Sequence, residues 1–140
     1  MEIENRKARF NYEIIDTYEA GIVLLGSELK PLRKGSASIN ESYAIIRNNE
    51  AYLLNMYIKS YDEASINNHE ERRTRKLLLH KNEIIKINNN LKEKGLTLVP
   101  LKVYFKNNKL KVLLGLGKGK KNFDKREAIK KRDLERSLRS

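Results

Sequence analysis

The sequence predicts a mainly β fold: a small antiparallel barrel with two or three short helices and a strongly basic C-terminal tail. Three observations predict it. Asn48-Asn49 and Asn107-Asn108 each separate two segments rich in apolar and β-branched residues, and asparagine tolerates the positive φ that both central positions of a tight hairpin turn demand. The remaining apolar runs are short and mostly of strand length, divided by Gly, Asn and Ser. Third, the charge is uneven. Of the formal +12, residues 118–140 carry +6, with ten Lys and Arg against four Asp and Glu, while the other 117 residues share the rest.

In chain order, Met1 to about Arg9 reads as a polar arm. Phe10–Tyr18 follows as a half-buried strand, with Tyr12, Ile14 and Asp16 alternating against Glu13, Ile15 and Thr17. Glu19-Ala20-Gly21 reads as punctuation before Ile22–Leu25, a continuous apolar run that suits a buried strand. Ser27 then caps a short helix in which Leu29 and Leu32 share a face and Gly35 closes the end; Pro31 fits only near its start.

The first hairpin joins Ser42–Arg47 to Glu50–Ile58, and the second joins Leu98–Lys106 to Lys109–Leu116. Between them lies Lys59–Arg73, polar, without period, and long for a compact domain. Leu77–Leu79 leads into a second helix with His80 as N-cap, Glu83 reaching back, and Gly95 beyond its end. Ile84, Ile87 and Leu91 recur at helical spacing as its buried face. The barrel domain is placed at residues 1–117 and the tail at 118–140.

Gly115, Gly117 and Gly119 alternate with leucine and lysine at that boundary. They read as a flexible stretch able to lie against a phosphate backbone. It is not a nucleotide-binding loop, which needs Gly-Lys-Ser/Thr after its spacer, whereas Asn122 follows Lys121 here. From Asp124 a capping box with Glu127 and the spaced pairs Glu127–Lys131 and Glu135–Arg139 favour a helix. Its apolar face is poor, so the tail is expected to be disordered alone and helical when phosphates neutralise it.

Composition excludes much else. There is no cysteine, hence no disulfide or thiolate ligand. No N-terminal apolar region suggests a signal peptide, and no run is long enough to span a bilayer, so the expectation is a cytoplasmic protein without membrane association. His69 and His80 are the only histidines; the first, beside Glu70 and Glu71, reads as a solvated loop residue rather than a metal ligand, the second as a helix-start residue. Ser27, Ser42 and Ser60 lack the setting of a nucleophile, and Glu19 and Glu28 read as structural or RNA-positioning carboxylates. No enzyme activity, metal or cofactor is expected. A basic, uneven surface with tyrosines in strands points to nucleic acid, with Phe123 the leading candidate to stack on a base.

A series of short motifs narrows the reading. Asn5-Arg-Lys-Ala8, Tyr18-Glu-Ala-Gly21, Leu25-Gly26, Glu28-Leu-Lys30 and Leu32-Arg33-x-Gly35 are followed by Ser42-Tyr43 and Arg73-x-Arg75-Lys-Leu-Leu-Leu79. Lys94-Gly-Leu-Thr-Leu-Val-Pro-Leu101, Tyr104-Phe-Lys-Asn107, Gly117-Lys-Gly-Lys-Lys121 and Asp124-Lys-Arg126 complete the order. In these the chain closely resembles the SsrA-binding protein family (small protein B), the tmRNA-binding factor of bacterial trans-translation, from about Asn5 to about Arg136.

The resemblance implies an oligonucleotide-binding-fold barrel that grips the tRNA-like domain of tmRNA. Asn5, Glu19, Gly21, Leu78 and Lys111 would form the tmRNA surface, with Arg9, Arg33, Lys118, Lys120 and Lys121 adding to it. The tail would enter the mRNA channel and decoding site of a stalled ribosome through Phe123, Asp124, Lys125, Arg126, Lys130, Lys131 and Arg132. Elongation factor Tu would share the delivery complex, and the protein would be a monomer. Where the family usually carries Trp after Gly26, this chain has Ser27, and where many relatives carry His or Tyr it has Phe123. The alternative expectation is a general RNA-binding or ribosome-associated barrel without tmRNA specificity.

Overall fold

The computed structural model describes residues 2–60 and 69–120. Among these residues, nine strands and three helices run in the order β1 (Glu2–Glu4), α1 (Ala8–Asn11), β2 (Tyr12–Ile22), α2 (Gly26–Arg33), β3 (Ala37–Ser38), β4 (Tyr43–Arg47), β5 (Glu50–Leu54), β6 (Tyr57–Ile58), β7 (Arg75–Leu78), α3 (Lys81–Glu93), β8 (Thr97–Lys106) and β9 (Lys109–Gly119). Seven strands form one antiparallel sheet ordered β1-β8-β9-β2-β7-β5-β4, and β3 pairs with β6 separately. β4, at one edge, also lies against β8, so the sheet curls around a single core as an antiparallel barrel.

Both predicted hairpins form. Asn48 and Asn49 have φ of 52° and 61°, and Asn107 and Asn108 of 52° and 62°. These left-handed pairs match the twist of the flanking strands. The first hairpin's second strand is shorter than predicted, because Asn55 (φ 64°) turns the chain after Leu54. Tyr57 and Ile58 then pair with Ser38 and Ala37.

Inward positions alternate along the strands, and Ala20, Leu53, Leu77, Val103, Val112 and Leu114 meet in the core. α2 contributes Leu32 and α3 contributes Ile87, both fully buried; each such side chain stabilises by about 1.5–3 kcal/mol relative to exposure. α3 starts as predicted: Glu83 accepts a hydrogen bond from the His80 N–H at 3.1 Å. α2 ends in a Schellman arrangement, with Gly35 at φ 73° and N–H groups of Gly35 and Ser36 on the carbonyls of Leu32 and Pro31.

Several expectations are corrected. The polar arm is not free: β1 pairs with β8, and α1 follows it. Gly21 is not punctuation, and Ile22–Leu25 is not a buried strand. β2 runs unbroken through Gly21, which pairs with both Lys111 and Leu78, whereas Val23 and Leu25 are exposed. Ser27 does not cap α2; the Glu28 carboxylate instead accepts from the Leu25 N–H at 2.7 Å, and Pro31 sits inside the helix. His69 is buried rather than solvated, contacting Ser27 Oγ at 3.0 Å and the Ile58 carbonyl at 2.8 Å.

Gly115 and Gly117 are the largest correction. They are not flexible spacers but buried interior positions of β9. A Cβ on Gly117 would stand 2.8 Å from the Tyr12 Cβ, and one on Gly115 3.0 Å from Leu101 Cδ1. Their bare backbone lets Ala8, Val99 and Leu101, with Tyr12, Ile14 and Leu113, close into a second, smaller apolar cluster outside the barrel. Asn5 pins this cap, its N–H on the Leu101 carbonyl at 2.9 Å and its Nδ2 on that of Pro100 at 3.1 Å.

Candidate nucleic-acid interface

The register decides which outward side chains meet. Tyr104 pairs with Lys111, Lys111 with Gly21, and Gly21 with Leu78. One row thus crosses β8, β9, β2 and β7. The next row on the same face holds Lys102, Leu113 and Glu19. Here the outer face is open, forming a cleft of about 680 Å³ floored by Glu19, Gly21, Lys111 and Leu78 and walled by Leu29 of α2 and by His80 and Glu83 at the start of α3.

Gly21 belongs at this point for a steric reason. An added Cβ would approach the Leu78 Cβ to 3.3 Å. Leu78 itself is 53% exposed, a large apolar side chain presented to solvent beside lysines. Such a group can pack against a ribose or the face of a base.

Glu19 is held by two donors. The Tyr104 hydroxyl donates to Oε2 at 2.5 Å and Lys106 Nζ approaches Oε1 at 3.5 Å. The Tyr104 hydrogen bond, with Lys106 and Lys111 nearby, holds the Glu19 carboxyl below its usual range. Burial and the same carboxylate push the Tyr104 hydroxyl up to about 12. The pair therefore keeps an oriented carboxylate among cations, able to accept hydrogen bonds from base amino groups or 2′-hydroxyls.

Of the residues expected to bind, Glu19, Gly21, Leu78 and Lys111 come together in this cleft. Arg33 does not line it: its guanidinium stands 5.9 Å from the centre of the Phe105 ring, and Phe105 packs against the core on the strand face opposite Tyr104. Asn5 and Arg9 line a neighbouring groove with Leu101, Lys102 and Leu113. The Asn5 Oδ1 is buried and has no hydrogen-bond partner among the described residues.

Lys118 and Lys120 lie elsewhere. Lys118 faces Glu13 in the β2–β9 pairing, seven residues along β9 from Lys111, or roughly 23 Å. The Lys120 N–H bonds to the Asn11 carbonyl at 3.0 Å. Lys121, Phe123, Asp124, Lys125, Arg126, Lys130, Lys131 and Arg132, with the predicted tail helix and Tyr61, lie outside the described residues.

Sequence reasoning missed the parts of Tyr104 as orienting donor and of Lys102, Lys106 and Lys109. A signal existed. Counting outward from Asn107-Asn108, strand alternation puts Lys106, Tyr104, Lys109 and Lys111 on one side.

The wall of the cleft rests on a buried ionic network. Glu28, fully buried, receives Arg73 Nη2 at 2.5 Å, Arg75 Nε at 2.6 Å and a second Arg75 contact through Nη2. Arg75, also fully buried, donates to the Met56 carbonyl at 2.7 Å. Burial alone would raise the Glu28 carboxyl, but hydrogen bonds from Arg73, the Leu25 N–H and Arg75 outweigh it and hold it below its ordinary value. α2 is thereby fastened to β7.

Among the described residues, no three His, Asp or Glu side chains are grouped to hold a metal ion. Nor, among them, is any helix long and apolar enough to cross a membrane.

A family model described as SmpB protein matches residues 2–140. The SsrA-binding protein of Mycoplasma mycoides subsp. mycoides SC is 57% identical over 135 residues, covering 96% of this chain and 91% of that protein. Its counterpart from Chlorobaculum tepidum is 56% identical over 137 residues, covering 97% and 87%. The counterpart from Trichodesmium erythraeum is 54% identical over 136 residues, covering 96% and 87%. A solved structure described as "tmRNA-SmpB: a journey to the center of the bacterial ribosome" superposes with a TM-score of 0.72 at 48% identity, over 91% of this chain and 94% of that one.

Proposed function

The chain belongs to the SmpB protein family, and from that membership we propose that it binds the tRNA-like domain of tmRNA and acts in trans-translation at stalled ribosomes. The observation that carries the reading is the row Tyr104–Lys111–Gly21–Leu78 with the fixed Glu19 carboxylate beside it. It offers a cation for phosphate, an acceptor for 2′-hydroxyls or base amines, and an apolar side chain for a ribose or base. Those are the features by which structured RNA is distinguished from a generic polyanion. Asn5 and Arg9 extend the contact along the neighbouring groove, and Arg33 extends it past the hairpin.

The protein acts by binding, not by catalysis, and works in the cytoplasm as a monomer, with elongation factor Tu in the same delivery complex. Lys118, Lys120 and Lys121 lead the RNA from the barrel toward the tail. The expected boundary after residue 117 moves: β9 runs through Gly119 and the Lys120 N–H is bonded to the Asn11 carbonyl, so the second unit begins after Lys120. We read that unit as one that becomes helical on the ribosome, where Phe123, Asp124, Lys125, Arg126, Lys130, Lys131 and Arg132 meet the decoding site and the mRNA channel. Phosphate-rich surroundings favour that ordering, because residues 118–140 carry +6.

A two-part assay tests this division. Replacing Lys125 and Arg126 with Ala should leave the gel shift of the tRNA-like domain unchanged while abolishing tagging of stalled peptides. Equal loss of both activities would contradict it. Competition with bulk tRNA separates the reading from a general RNA-binding barrel, which would show no preference for tmRNA.

A further inference from the structure

The outer face that carries Glu19, Gly21 and Lys111 does not end at Leu78. Leu77 pairs with Ala51 and Lys76 with Tyr52, and alternate residues of a strand share a face. Lys76 and Leu78 therefore point to one side, with Tyr52 and Glu50 beside them on β5. There the Tyr52 hydroxyl donates to Glu50 Oε2 at 2.6 Å and Lys76 Nζ to Oε1 at 3.0 Å. This repeats the arrangement of Tyr104, Glu19 and Lys106: a tyrosine and a lysine fixing one carboxylate. The two copies flank Leu78, two strand spacings apart, or roughly 10 Å.

A second concavity opens on this side of Leu78, lined by Asn49, Glu50, Lys76 and Lys81. Lys81 is the first residue of α3 and is exposed. A cation there opposes the helix dipole, where an acidic residue would stabilise the helix. No hydrogen bond or ion pair to another described residue engages it. Its ammonium is thus exposed and open to an anion from outside the described residues.

We propose that Tyr52, Glu50, Lys76 and Lys81 form a second RNA-contact site, taking the ribose-phosphate backbone of the same folded RNA as it passes over Leu78. The proposal rests on the tmRNA reading. Continuity with the first cleft favours RNA as the occupant, as does the repeated pairing of one acceptor carboxylate with cations. The lysines meet phosphates, and the oriented Glu50 accepts from a 2′-hydroxyl.

The test measures binding of the full chain to the tRNA-like domain of tmRNA by fluorescence anisotropy at several salt concentrations. The double variant Lys76→Ala/Lys81→Ala should lose on the order of tenfold in affinity, with a log–log salt slope smaller by about 1.4 for two lost phosphate contacts. Unchanged affinity and slope would overturn the site. Lys81→Ala alone should bind more weakly with an unchanged or higher melting temperature; weaker binding together with a lower melting temperature would mark a structural role and overturn it. Lys76→Ala/Glu50→Gln should bind no better than Lys76→Ala; restored binding would mean only that an uncovered carboxylate repels RNA. If the wild type shows no preference for this RNA over bulk tRNA, the functional reading itself fails. If Lys111→Ala weakens binding and the Lys76/Lys81 variant does not, only the second site fails.

Discussion

The two ends of the β2–β9 ribbon share strands and an outer face, yet one is sealed and the other open. At the sealed end, bare backbone at Gly115 and Gly117 lets Tyr12, Ile14 and Leu101 close over the sheet, with Ala8 of α1 on top. At the open end, a Cβ on Gly21 would meet Leu78 first, and Leu78 stays exposed among lysines. Glycine serves packing at one end and the proposed binding surface at the other. The difference teaches that composition does not reveal a strand glycine's role. What the absent Cβ would have struck reveals it.

Substitutions should separate the two ends. The largest stability loss is expected from Glu28→Ala, which leaves Arg75 buried without its carboxylate and unfastens α2, the wall of the open cleft. Breaking such a pair costs about 3–5 kcal/mol, readable as a shift in the denaturant midpoint with RNA affinity falling alongside. At the sealed end, Gly117→Val drives a side chain into Tyr12 and should cost about 1–3 kcal/mol while the remaining folded fraction binds RNA normally. At the open end the pattern reverses. Leu78→Ser and Lys111→Ala should change stability by no more than about 0.5 kcal/mol yet each weaken RNA binding severalfold. Thermal melts beside anisotropy titrations would show whether the two readouts come apart as expected.

Acid offers a milder probe. Because the folded Glu28 carboxyl lies below its ordinary value of 4.5, its contribution to stability is complete above about pH 4.5. It is lost as pH falls through the lower folded value. Glu28→Gln should therefore flatten that part of the stability–pH curve. The smallest effect is expected from Tyr104→Phe, which keeps the ring but leaves Glu19 held by Lys106 alone. Preference for the tRNA-like domain over bulk tRNA should narrow while the salt slope stays unchanged, since no phosphate contact is lost.

Much of the fold was legible because local chemistry encodes it. Paired asparagines specify positive φ whatever surrounds them, and His80 with Glu83 specifies a helix start. What was not legible depends on long-range register. Nothing local marks Arg75 as buried until Glu28, 47 residues earlier, is seen beside it. His69 reads as a loop residue until Ser27 and Ile58 surround it. Gly115 and Gly117 mislead because alternating glycine and lysine has the composition of a linker, and only the partners on β2 and β8 make them a seam.

For the interface, charge pointed to nucleic acid but not to a place. Glu19, Gly21, Leu78 and Lys111 were expected together only through the family resemblance, since nothing local says that residue 21 lies between 78 and 111. The orienting role of Tyr104 was within reach of strand alternation. Its pairing with Glu19 was not, because it needs the β8–β9–β2 order.

Methyl chemical-shift mapping of the full chain, titrated with the tRNA-like domain of tmRNA, tests the contrast between the ends most directly. The Leu78 and Leu29 methyls should move on binding while those of Ile14 and Val99 stay in place. Shifts concentrated at Ile14 and Val99, with Leu78 unmoved, would contradict the account.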